Sequence, residues 1–136
     1  MPSLDTNVLV RWLVDDDAVQ TARVDKLLGA VEREHGSLFF PCTVVLELEW
    51  VLRSRYHFDK ATLLQVFNAL LETQELQLEA EAAVEWALHL YRQGSAEVAD
   101  CLHAGLSAAG GHAPLLTFDQ KAAKLPGIEL IAKRYA

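Results

Sequence analysis

Short apolar runs alternate along this chain with longer segments whose apolar residues recur every three or four positions. The runs predict strands and the periodic segments predict helices. Ser3-Leu4 predicts a first strand, followed by a helix from about Asn7 to Leu13 and another from about Val19 to Glu34. Leu38-Phe39-Phe40 predicts a second strand, stopped by Pro41. Thr43 is placed to cap a helix running to about Arg55, and Asp59 to cap one over Lys60 to Glu72. Leu76-Gln77-Leu78 predicts a third strand, followed by helices over about Glu79 to Gln93 and Ala96 to Ala109. Leu115-Leu116-Thr117 predicts a fourth strand, Gln120 to Lys124 a short helix, and Ile128-Glu129-Leu130 a fifth strand.

Strands separated by helices need crossover connections. The expected fold class is therefore α/β, a three-layer α/β/α arrangement around a central, mostly parallel sheet of about five short strands. In such folds ligands bind beyond the carboxyl ends of the strands. Asp5 and Asp119 each come just after a predicted strand, at the right end of the sheet for a site.

Composition narrows the class. The chain has 136 residues, of which 51% are hydrophobic and 23% charged. That is enough for a real core and predicts a single domain over residues 1–136. No apolar run reaches the roughly 20 residues that span a bilayer, and no signal-peptide pattern opens the chain. Cys42 and Cys101 lack a CxxC or Cys/His pattern, so two reduced, buried thiols in a cytoplasmic protein are expected. A net charge of −7 argues against holding nucleic acid by bulk electrostatics. It leaves open an enzyme whose acids are neutralised by metal.

Several acids stand out against their surroundings. Asp5 lies among apolar residues, and a charge in a partly buried setting needs hydrogen bonds, a partner charge or a metal. Glu47 has Val44 at i−3, Leu48 beside it and Val51 at i+4, which sets it in or beside the apolar stripe. Glu49, with Arg53 four residues on, suits a solvated ion-paired face. Asp100 sits in a mostly apolar helix for which Ser95 is a fitting N-cap, with Glu97 in the first turn and Asp100 already past it. Glu97 and Asp100 share a face, where two like charges repel unless a cation sits between them or a pKa rises. Asp119 can cap the helix that follows it or serve a site. Thr6, Asn7 and Thr117 can hold turns or support neighbouring carboxylates. Asp15, Asp16 and Asp17 form the loudest acidic run, and a helix start accounts for them. No HExxH, GxSxG or glycine-rich phosphate loop is present.

Taken together, four segments resemble the PIN-domain ribonucleases, most closely the VapC-type toxins of bacterial toxin–antitoxin pairs. They are Asp5-Thr6-Asn7-Val8-Leu9-Val10-Arg11, Val44-Val45-Leu46-Glu47-Leu48-Glu49-Trp50-Val51-Leu52-Arg53, Ala96-Glu97-Val98-Ala99-Asp100 and Thr117-Phe118-Asp119. Each motif is short, and the joint order and spacing over the whole chain carry the resemblance. It implies a Mg²⁺- or Mn²⁺-dependent endoribonuclease with its acidic site at Asp5, Glu47, Asp100 and Asp119. Asp5 and Asp100 would be direct metal ligands, and Glu47, Asp119 and Glu97 further candidates. Thr6, Asn7 and Thr117 would support that shell by hydrogen bonds. One departure is that the family often has Asp-Phe where this chain has Glu97-Val98. Carboxylates without soft ligands suit hard cations, which activate water and stabilise charge on a phosphodiester.

The resemblance also implies an RNA substrate, a homodimer and a small cognate antitoxin encoded alongside. Two other readings compete with this one. A phosphoacceptor receiver domain needs paired acids after its first strand and a Lys after its fifth, and Asp5 stands alone with no such Lys. A PIN fold that binds RNA or regulates without cutting is the alternative, against which the retained acids argue.

Overall fold

A computed structural model describes residues 1–135, with the side chains of Lys133 and Arg134 outside the description. The chain separates into two compact units, Met1–Glu79 and the segment from Ala80 onward.

In the first unit, α1 (Thr6–Leu13) and α2 (Ala18–Arg33) precede β1 (Leu38–Phe40). The helices α3 (Cys42–Ser54) and α4 (Lys60–Glu72) then lead to β2 (Leu76–Leu78). β1 and β2 pair in parallel, Leu38 opposite Leu76 and Phe40 opposite Leu78. The expected first strand at Ser3-Leu4 is a single parallel bridge from Ser3 to Phe39. The Leu4 N–H donates to the Phe39 carbonyl at 2.8 Å, and the Phe39 N–H donates to the Pro2 carbonyl at 2.9 Å. The segment is too short to add rungs, because Asp5 turns the chain into α1 at once. Three parallel segments thus end at Asp5, Pro41 and Glu79. Leu38, Phe40, Leu48, Leu52, Leu63, Phe67 and Leu70 are fully buried and contribute to the core.

Local signals start and stop these helices. Asp17 accepts from the Gln20 N–H at 3.1 Å and Asp59 from the Thr62 N–H at 2.8 Å, each an N-cap to the third helical amide. α3 begins differently. Thr43, expected to cap it, lies inside it, and Pro41 at the N-cap makes no side-chain cap bond. The Cys42 N–H donates instead to Glu79 Oε1 at 3.1 Å, a cap supplied from 37 residues away. α2 closes when the Gly36 N–H reaches back to the Val31 carbonyl and the His35 N–H to that of Glu32. That turn puts His35 in the left-handed region, at φ 52°.

The second unit holds α5 (Glu81–Gln93), α6 (Val98–Ala109), β3 (Leu115–Thr117), a 3₁₀ turn (Ala122–Lys124), β4 (Ile128–Leu130) and α7 (Ile131–Arg134). α5 and α6 form its main packing, and α6 also packs on β3. The helices meet closely at Gly105, where a Cβ would lie 2.6 Å from the Ala83 carbonyl oxygen. Any larger residue there would push α6 off α5. α6 ends in the same reverse turn as α2, and Gly111 supplies its left-handed position at φ 77°. β3 and β4 are parallel, with Leu115 opposite Ile128 and Thr117 opposite Leu130.

The α/β class and the parallel pairing are as the sequence predicts. Among the described residues four strands form, as two parallel pairs. No helix of the described residues is long and apolar enough to cross a membrane. Cys42 and Cys101 are buried thiols outside any disulfide, as expected.

Candidate active site

At the carboxyl end of the first unit's parallel segments, Asp5 is the N-cap of α1 and its Oδ1 accepts from the Thr6 N–H at 2.7 Å. The expected partial burial of Asp5 does not hold, since its side chain is exposed. Leu4 and Thr6 on either side are buried at 6% and 2% exposure, so the extended backbone turns Asp5 outward between them. One oxygen is committed to the Thr6 amide, and a carboxylate keeps acceptor capacity beyond one bond for a cation. The Thr6 hydroxyl is buried with no hydrogen-bond partner. A buried hydroxyl left without a partner costs about 1–3 kcal/mol, so this one, beside Asp5, suits donation to a ligand or water. Asn7 is exposed in the first turn of α1.

α1 packs against α3, which carries Glu47 and Glu49. Here the structure reverses the expectation. Glu47 is exposed, and Glu49 is buried at 7% exposure. The exposed stripe of α3 runs Thr43, Glu47, Trp50, Ser54, at helical steps of four, three and four. Nearly everything else on α3 is buried, so apolar neighbours in sequence do not place Glu47 inward. The Arg53 Nε donates to Glu49 Oε1 at 2.7 Å, the expected pairing at i+4, but it satisfies a buried carboxylate instead of decorating a solvated face.

Beyond α1, Asp16 and Asp17 of the acidic run are absorbed by structure. Asp17 caps α2. Asp16 pairs with Arg11 and accepts from the Tyr56 hydroxyl at 2.8 Å, and Arg11 Nε donates to Gln20 Oε1 at 2.7 Å. The Tyr56 hydroxyl first, and then Arg11, hold the Asp16 carboxyl below its ordinary range. Arg11 is held in this network by Asp16 and Gln20.

In the second unit, Glu97 is the N-cap residue of α6, a position expected for Ser95, and it makes no side-chain cap bond. A glutamate carboxylate stands too far from its own backbone to close a cap well, which frees it. Asp100 lies in the first turn of α6, one turn earlier than expected, and is half-buried. The amino-terminal end of a helix dipole favours both acids there. Asp119 follows β3 in a turn in which its own N–H donates to Thr117 Oγ1 at 3.0 Å. Asp119 Oδ1 accepts from the Lys121 and Ala122 amides at 2.8 and 3.2 Å, the capping role the sequence allowed. Glu97 and Asp119 nevertheless line one open cleft of about 420 Å³ with Ser95, Ala96, Gln120 and Lys121. Lys121 brings the one cation of that lining.

The structure thus brings Glu97 and Asp119 together in one cleft and places Asp5 and Glu47 on exposed positions of the first unit. Among the described residues, no group of three or more His, Cys, Asp or Glu side chains could hold a metal ion. Ser95 and Gln120 were not anticipated at the cleft, and their adjacency to Glu97 and Asp119 was the available signal. Glu79 was missed altogether, because its role depends on a contact across 37 residues.

A family model described as PIN domain matches residues 3–128. The chain belongs to the PIN domain family. It is also similar to a VapC ribonuclease of Aquifex aeolicus (strain VF5), 24% identical over 126 residues, which are 92% of each chain. The PIN match spans all four acidic segments singled out in the sequence.

Proposed function

We propose that this PIN domain is a Mg²⁺- or Mn²⁺-dependent endoribonuclease that hydrolyses RNA phosphodiester bonds, the toxin of a toxin–antitoxin pair. The observation that carries this reading is Glu97, a helix N-cap residue that caps nothing and lines a cleft with Asp119 and Lys121. The match to the PIN family and the similarity to a VapC ribonuclease give it its substrate.

The donors fit a hard cation: they are carboxylates and hydroxyls, with no thiolate or imidazole among the assigned residues. Such an ion, when bound, lowers the pKa of water and stabilises charge on the attacked phosphate. Asp5 and Asp100 are assigned to hold it, with Asp119, Glu47 and Glu97 as further ligands or as acceptors that orient the attacking water. The Thr6 hydroxyl has a proton to donate to a ligand or water and no other partner. Thr117 keeps the Asp119 turn in shape, and Asn7 is an exposed donor and acceptor in the first turn after Asp5. No side chain forms a covalent bond to RNA: water attacks phosphorus, and the leaving ribose oxygen departs.

The proposed partners are a second copy of the chain and a small antitoxin encoded beside it. Trp50 and Trp86, 51% and 42% exposed, offer apolar surface for either. The proposed compartment is the cytoplasm.

Incubating the purified protein with defined RNA and DNA tests the reading. RNA should be cut with Mg²⁺ or Mn²⁺ and left intact with EDTA, and DNA should stay intact. Cleavage indifferent to EDTA would remove the metal. RNA binding without cleavage would leave the non-catalytic PIN module in its place.

A further inference from the structure

We propose that Lys121 is a phosphate-contacting residue of the cleft, whose ammonium group holds a phosphodiester of the RNA backbone beside Glu97 and Asp119. This rests on the ribonuclease reading above.

Lys121 lines the opening together with both acids and is the cation of that lining. Its backbone is fixed at both ends. Its N–H donates to Asp119 Oδ1 at 2.8 Å, and its carbonyl accepts from the Lys124 N–H at 3.3 Å across the 3₁₀ turn. Its side chain is exposed. Among the described residues it forms no ion pair, although two carboxylates share the opening. Arg11 and Arg53, by contrast, are held by Asp16 and Glu49. The charge of Lys121 is thus delivered to the cleft by a pinned turn and left available there.

The chemistry of the lining gives that charge a task. Glu97 and Asp119 repel an incoming phosphodiester and offer it no hydrogen-bond donor. Ser95 and Gln120 offer neutral donors. The Lys121 ammonium offers three donors and a full positive charge on a flexible stem, a point charge suited to a phosphate oxygen. On a chain of net charge −7, bulk attraction does not hold RNA, so one placed cation carries a large share of the phosphate contact. A phosphate contact reads no base. Lys121 therefore adds affinity for RNA of any sequence, and sequence selection falls to other residues.

The experiment compares Lys121→Ala, Lys121→Arg and Lys124→Ala with the unaltered protein. Lys124→Ala removes the same charge three residues away, from a side chain outside the cleft lining. Binding of labelled RNAs of two unrelated sequences is read by anisotropy across a KCl series, with Ca²⁺ in place of Mg²⁺. Cleavage is read with Mg²⁺. A hydrogen bond to a charged group corresponds to about tenfold or more in affinity. Lys121→Ala should weaken binding by that factor on both RNAs and lower the salt slope by about 0.7 to 1, the loss of one phosphate contact. Its KM should rise with its melting temperature unchanged. Lys121→Arg should keep most of the binding, and Lys124→Ala should change affinity and slope little. The proposal is overturned if Lys121→Ala binds RNA with the affinity and slope of the unaltered protein, or if Lys124→Ala loses as much. It is also overturned if Lys121→Ala leaves RNA binding intact and lowers the Mg²⁺ concentration needed for cleavage, which would make Lys121 a counter-ion of the acids. Failure of the ribonuclease reading shows in the unaltered protein, which would not cut RNA with metal. Failure of this proposal alone shows as an unaltered protein that cuts and a Lys121→Ala variant with the same KM and salt slope.

Discussion

Asp15 to Asp17 in the first unit and Glu97 with Asp119 in the second are both acids next to a helix start, and the structure uses them differently. In the run, Asp17 spends its carboxylate on the Gln20 amide and Asp16 on Arg11 and Tyr56. In the cleft, Glu97 stands at an N-cap and closes no amide, while Asp119 caps a turn and still lines the opening. The difference teaches that acid density is a poor guide to chemistry. An acid whose hydrogen-bonding capacity is taken up by local backbone and a cation is explained by folding. An acid left with capacity in an open cleft needs another explanation.

The largest effect should separate the two groups by activity. Asp5→Asn and Asp119→Asn are each expected to lower kcat/KM for RNA by about 100-fold or more, since even supporting residues of metal sites are worth about 10–100-fold. Asp16→Asn should stay within a few-fold. Equal losses in all three variants would erase the distinction between structural and chemical acids.

A smaller effect should separate them by stability. Asp17→Ala is expected to cost about 1 kcal/mol in urea denaturation, the usual worth of an N-cap. Glu97→Ala should stay within about 0.5 kcal/mol, because no cap bond is lost, while its RNA cleavage falls. A Glu97→Ala protein as destabilised as Asp17→Ala would assign Glu97 to the fold.

The smallest effect is one of pH. The Tyr56 hydroxyl and Arg11 hold the Asp16 carboxyl below its ordinary value of 3.8. Its folded pKa is lower than its unfolded one, so its contribution to stability is present above that value and is lost as pH falls through the folded pKa. Melting temperature recorded from pH 5 downward should therefore fall less steeply for Asp16→Asn than for the unaltered protein. Parallel curves would show that the network contributes nothing to the acid limb.

Much of the fold was legible because its signals are local. Asp59 and the stretch Lys60 to Glu72 form the helix that cap and period predict, and each run from Leu38, Leu76, Leu115 and Ile128 pairs in parallel. The errors share a cause. Neighbours in sequence set Glu47 in or beside the apolar stripe and Glu49 on a solvated face, yet α3 is buried over most of its surface and leaves Thr43, Glu47, Trp50, Arg53 and Ser54 exposed. Ser95 and Thr43 have the right chemistry for caps and each lies two residues from the position the chain adopts. Ser3-Leu4 lacks the length to be more than a bridge.

By itself the sequence determined the α/β alternation, the helix starts at Asp17 and Asp59, and which acids to suspect. Those follow from hydrogen bonds and periodicity within a few residues. Only the tertiary structure decided which of two glutamates on α3 is buried against Arg53, that Glu79 would supply the missing cap of α3, and that Glu97 would share a cleft with Asp119. Each of these depends on which surfaces other segments cover, and burial is set by the whole packed chain instead of by neighbours along it.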